Sequence, residues 1–165
     1  MPVREIRLFG DPILRSVTDP IARFDAGIDA LVRDLLDTVA IPGRAGVAAN
    51  QIGVGLRAFS YHVDGRMGCI LNPVLAEVRG EPVLTDEGCL SVPGFAYPRL
   101  RYPWARVTGV DRHGTPVELE GEGLLAQALQ HEIGHLDGAL YIEGLDAETK
   151  RRAMSEIRSA DWFRA

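Results

Sequence analysis

No stretch of this chain is apolar for long enough to cross a bilayer, and its first ten residues, Met-Pro-Val-Arg-Glu-Ile-Arg-Leu-Phe-Gly, lack the uninterrupted apolar run of a signal peptide. The sequence therefore predicts no membrane partner, and a cytoplasmic address is the expectation. An excess of positive charge is also missing: 18 Lys and Arg stand against 23 Asp and Glu, a formal net charge of −5. That balance argues against direct nucleic-acid readout or attachment to anionic lipid, because both reward a positive surface. Cysteine is scarce, with Cys69 and Cys89 the two in the chain. In a reducing compartment they read as one buried thiol and one ligand or nucleophile rather than a structural disulfide. Internal repeats, low-complexity segments and long linkers are absent as well.

What is present is the apolar content of one compact domain spanning 1–165: 165 residues, 46% hydrophobic and 25% charged. Asp25 is placed to cap a helix whose apolar residues, Ile28, Leu31, Val32, Leu35, Leu36 and Val39, form one stripe. Pro42-Gly43 breaks it, and Gly46 to Gln51 reads as a small-residue turn into a strand from about Leu56 to Val63. Asp64-Gly65 marks a hairpin to a strand over Met67 to Leu71, with Asn72-Pro73 and Gly80-Glu81-Pro82 bounding the next extended piece. A second hairpin pairs Trp104–Val110 with Thr115–Leu119 across Asp111-Arg112-His113-Gly114. Helical patterns then run from about Leu124 to Leu136 and from Ala147 to Arg158.

The first of these helices carries His131-Glu132-Ile133-Gly134-His135. Residues at i and i+4 share a helix face, so both imidazoles can reach one metal, with Glu132 beside the water such a metal would hold. Leu124, Leu125, Ala128 and Leu129 make that helix largely apolar, and buried polar side chains there require partners. A third ligand has to come from elsewhere. No third His follows at metzincin spacing, whereas Glu143, Glu148 and Glu156 would serve a thermolysin-type metallopeptidase. Cys89, between a flexible Gly and an extended stretch, offers a thiolate. It also reads as a small buried hydrophobe, which is the better account of Cys69 among its apolar neighbours. The fold class is α+β, with antiparallel strands around a central metal-binding helix and helices towards both termini.

Three separated segments, in matching order, resemble the peptide deformylases: Arg44 to Gln51 against Gly-x-Gly-φ-Ala-Ala-x-Gln, Glu87-Gly88-Cys89-Leu90-Ser91, and His131 to His135. The resemblance covers nearly the whole chain. It implies that Cys89, His131 and His135 hold one divalent metal ion, iron(II) being the family's usual choice. A thiolate and two imidazoles suit zinc, nickel and cobalt too. It further implies that water activated there attacks the formyl group of a newly made polypeptide, Glu132 taking the proton and passing it to the leaving amine. By the same resemblance the Leu90 N–H and the Gln51 amide would stabilise the oxyanion, with formate and a free N-terminus as products. Gly46 lies beside the formyl-methionine, with Ala45 and Val92 as contacts to its backbone or side chain.

The resemblance extends to ribosome contact through the C-terminal helix, where Lys150, Arg151, Arg152 and Arg158 also read as an ordinary solvated face. Two positions depart from the family pattern. Arg44 stands at the motif's first Gly, and Gly134 replaces the Asp that commonly precedes the second His. These departures motivate the alternative of a non-catalytic metal- or peptide-binding module of the same fold. The intact Glu132 favours an enzyme.

Overall fold

The computed structural model describes residues 3–165. Met1 and Pro2 of the N-terminal segment considered above lie outside them. Helix α1 (Ala26–Val39) starts where the sequence puts a cap, the Asp25 carboxylate accepting from the Gly27 and Ile28 N–H groups. Ile28, Leu31, Val32, Leu35 and Val39 form its buried stripe, each such side chain contributing about 1.5–3 kcal/mol when removed from water. After it come β1 (Gly46–Ala48), β2 (Ala58–Val63), β3 (Arg66–Arg79), β4 (Val83–Cys89), β5 (Val92–Arg101), β6 (Trp104–Val110) and β7 (Pro116–Glu122). Five of them form an antiparallel sheet in the order β1-β2-β3-β6-β7, while β4 and β5 make a separate two-stranded ladder. The chain is thus a mixed α+β fold.

Strand alternation divides the core. Val47, Ala58 and Leu71 face α1, whereas Ala48, Phe59 and Ile70 face helix α2 (Gly123–Leu136) through Leu125, Leu129, Ile133 and Leu136. On its other side α2 reaches the small ladder, where Gln127 Nε2 donates to the Asp86 carbonyl at 3.0 Å. A third apolar cluster gathers Phe9, Val92, Tyr97, Leu140, Tyr141 and Ile142 beneath α3 (Ala147–Arg158), which contributes Ala153 and Ile157. The chain closes with α4 (Asp161–Arg164).

The Asp64-Gly65 hairpin is as expected, with φ of 52° and 76° at the two residues. Other boundaries differ. Asn72-Pro73 does not end a strand: β3 runs through it for 14 residues. A bulge between Leu71 and Val74 absorbs the irregularity, with Asn72 at φ 50° and its side chain bonded to the Ile21 N–H and carbonyl. The segment from Gly46 to Gln51 is a turn in its second half only: Gly46–Ala48 is strand β1, and Ala49–Ile52 is a single 3-10 turn.

Candidate active site

Three elements deliver the side chains. Cys89 ends β4, His131 and His135 sit one turn apart on α2, and Gln51 lies in the 3-10 turn after β1. The Cys89 Sγ lies 3.3 Å from His135 Nε2, which lies 3.0 Å from His131 Nε2, and one ligand atom from each lies within 4.8 Å of the others. The Nδ1 of His131 faces Glu87 Oε2 at 2.7 Å. That pairing fixes the ring and leaves Nε2 turned towards Cys89 and His135. Glu87 is held in turn by two bonds from Arg101, at 2.7 and 2.6 Å.

The electrostatics follow from this burial. Desolvation opposes a charge on Glu87, but hydrogen bonds from Arg101 and His131 outweigh it and hold the carboxyl down at about 2. Desolvation also works against a charge on His131, which the Cys89 sulfur and Glu87 nevertheless raise to about 10; a cation on Nε2 would take that proton's place. His135 is driven well below the imidazole range by burial, so its ring is neutral and fit to donate a lone pair. Burial pushes Glu132 up to about 7 against the pull of His131.

The donor set fits a metal ion. One thiol sulfur and two imidazole nitrogens converge without an intervening carboxylate, the composition that suits zinc-like and iron-like divalent ions. Among the described residues Glu132 Oε2 has no hydrogen-bond partner and is buried, so a proton acceptor stands free beside the cluster. Glu143, Glu148 and Glu156 are not part of this or any other ligand group among the described residues.

A cleft of about 520 Å³ opens onto the cluster. One lip is Gly43 to Gly46, the other Asp86 to Leu90 continuing to Pro93 and Gly94, and Leu124, Gln127 and Ala128 close the end. Gln51 is buried beside it. Its Oε1 accepts from the Ala48 N–H at 3.0 Å, and its Nε2 donates to Ser91 Oγ at 3.1 Å and points at Cys89 Sγ at 3.7 Å. Gly46 is there for a spatial reason: a Cβ on it would lie 2.5 Å from Glu132 Oε1. Ala45 and Leu90 line the cleft; Val92 does not, being fully buried in the cluster under α3. Val92 pairs with Cys89 across the turn, next to a register shift between Gly88 and Cys89.

Arg44 lines the outer lip and donates through Nη1 to the Thr38 carbonyl at 2.9 Å. Gly134 is unforced, since a Cβ there would meet only the Ala139 carbonyl at 3.8 Å. Sequence reasoning missed the support behind His131. Glu87 was visible as a motif residue, but Arg101 reaches it diagonally across the β4–β5 ladder, from a position opposite Val83 to one opposite Tyr97, which no local pattern announces. Arg99, equally charged and two residues away, donates to the Tyr141 carbonyl.

Known proteins are similar to this chain in sequence and fold. The family pattern of polypeptide deformylases matches residues 3–151. A peptide deformylase of Parafrankia sp. (strain EAN1pec) is 50% identical over 163 residues, covering 98% of this chain and 89% of the relative. One from Acidothermus cellulolyticus is 48% identical, with the same two coverages of 98% and 89%. The crystal structure of the Thermus thermophilus peptide deformylase superposes with a TM-score of 0.87 at 38% identity, over 95% of this chain and 94% of that one. The Legionella pneumophila enzyme gives a TM-score of 0.88 at 36% identity, over 94% of each chain. With its sequence matched nearly from end to end and its fold shared, this chain belongs to the peptide deformylase family.

Proposed function

We propose that this chain removes the formyl group from the N-terminal formyl-methionine of newly made polypeptides by metal-dependent hydrolysis, with α2 as the central metal-binding helix. The observation that carries the reading is the convergence of Cys89, His131 and His135, with the free Glu132 Oε2 beside them, on a cleft between two strand edges. Cys89, His131 and His135 would hold one divalent ion, iron(II) by family resemblance. When bound, that ion supplies Lewis acidity towards water and the formyl carbonyl.

The chain's own residues do the rest. Among the described residues β1 pairs only with β2 and β4 only with β5, so each offers an open edge to an extended peptide. Ala45 and Gly46 supply one edge, Gly88 the other, and Leu124 and Ala128 an apolar wall for the methionine. Glu132 Oε2 takes a proton from the attacking water and delivers it to the departing amine nitrogen. The Leu90 N–H and Gln51 Nε2 stabilise the oxygen that becomes negative as the carbonyl is attacked. Water and the formamide thus become formate and a free amino terminus.

Residues 1–165 act as one catalytic domain in the cytoplasm, where formylated chains emerge. Lys150, Arg151, Arg158 and Arg164, which line one groove of α3 and α4, are the surface for ribosome contact. Formate release from formyl-Met-Ala-Ser by anaerobically purified protein, with metal analysis, tests the reading. Release by the wild type and its loss in a Glu132→Ala protein of unchanged metal content are expected. Metal-loaded, folded wild type that releases no formate would overturn it.

A further inference from the structure

The β4–β5 connection carries much of the site: Cys89 precedes the Leu90-Ser91 turn, and Pro93 and Gly94, just inside β5, form part of the cleft lip. The lip bends at Gly94, whose φ of 87° is left-handed backbone that glycine adopts freely. It is held from outside the site. The Phe9 N–H donates to the Ser91 carbonyl at 2.8 Å, and Trp162 of α4 donates its indole N–H to the Pro93 carbonyl at 3.0 Å. The two anchors touch each other through Phe163, whose ring stacks on Phe9 at 5.8 Å and meets Trp162 edge-on at 6.1 Å. The N-terminal strap and the last residues of the chain therefore clamp one turn together.

We infer that Trp162 is a positioning residue for the reaction, bracing the Pro93–Gly94 lip in the conformation that receives the peptide. The inference rests on the reading that this cleft takes the formylated peptide. Because Trp162 holds the lip and not the ligands or Glu132, its loss weakens peptide binding while leaving the chemical step nearly intact. Trp162→Phe removes the indole N–H and keeps an aromatic ring in the cluster. The expected result is a KM for formyl-Met-Ala-Ser raised about three- to tenfold, the range of one neutral hydrogen bond. The kcat stays within about twofold, with metal content unchanged and the melting temperature lower by no more than about 2–4 °C. Trp162→Ala moves KM further in the same direction.

A second readout is independent of turnover. Trp104 and Trp162 are the two tryptophans of the chain. In a Trp104→Phe background, the emission of Trp162 is expected to change saturably with the product peptide Met-Ala-Ser. Unchanged KM in folded Trp162→Phe protein overturns the inference, and so does a joint fall of kcat, metal content and melting temperature, which marks a merely structural residue. If the wild type releases no formate, the functional reading fails first, and an emission that ignores Met-Ala-Ser then removes the brace as well.

Discussion

Replacing Gly46 by alanine tests the catalytic geometry most directly. A Cβ at this position would lie 2.5 Å from Glu132 Oε1, 2.8 Å from its Cδ and 2.9 Å from its Cγ. Real contacts of this kind start near 3.0 Å and are comfortable only from 3.4 Å, so something must retreat by 0.5 Å at the least. β1 is held in the sheet beside β2, the His62 N–H donating to the Ala45 carbonyl at 2.9 Å next to the Gly46↔Tyr61 pair, which leaves the carboxylate as the softer partner. A carboxylate displaced by about 1 Å from a proton-transfer position is expected to lose about 100-fold in kcat, or about 2.7 kcal/mol of barrier. Overpacking would lower stability by about 1–3 kcal/mol. The assay is steady-state formate release combined with metal analysis and thermal unfolding. A Gly46→Ala protein whose kcat stays within twofold of wild type, at full metal content, would refute the argument that this glycine exists to make room for Glu132.

Glu87→Gln should lower metal affinity by about 10- to 100-fold, measured by chelator competition, because His131 loses the carboxylate that orients it. The same substitution leaves Arg101 buried without its charge partner and should destabilise the fold by about 3–5 kcal/mol. Gly134→Ala should stabilise by about 0.5–1 kcal/mol, seen as a higher melting temperature, since the added methyl meets only an ordinary 3.8 Å contact. Burial pushes the Cys69 thiol up to about 12, so at pH 8 it should resist alkylation in the folded protein and react once the protein is unfolded. Hydrogen bonds from the Thr149 N–H and side chain hold Asp146, the cap of α3, below its usual 3.8. Its contribution is therefore present above that pH and lost as the pH falls through the lower folded value. The melting-temperature difference between wild type and Asp146→Asn should accordingly shrink in acid.

The sequence announced the helices because their signals are local. Asp25 and the Ile28–Val39 stripe define α1 without reference to anything else, and His131 and His135 share a face by the period of the helix alone. Cys89 could be proposed but not placed, since its distance to His135 depends on how a separate ladder docks against α2. The same limit hid Arg101, Gln127 and Trp162. Each acts across more than ten residues of sequence through a register or packing contact that exists only in the folded chain. Val92 shows the limit of adjacency: its place beside the motif suggested a substrate contact, and its side chain is fully buried in the cluster under α3. Asn72-Pro73 looked like punctuation because its turn chemistry is real; β3 continues past it by way of a bulge.

The open edges of β1 and β4 have a second consequence, which concerns how the protein behaves among its own copies. Exposed strand edges are templates for pairing with any extended chain, including another molecule of the same sequence, and are a common route to aggregation. Here the exposure is rationed. β1 is only three residues long, too short to nucleate a sheet between molecules. On β4 the Asp86 carbonyl is already taken by Gln127, and the exposed Asp86 carboxylate repels its own counterpart on a second copy. Inside the cleft the groups left available, at Gly46 and Gly88, suit a free chain end; outside it the start of β4 stays open, with Val83 and Leu84 exposed. The geometry that admits a new polypeptide's terminus thus shelters only the cleft half of β4, and its outer half is where pairing between copies would begin.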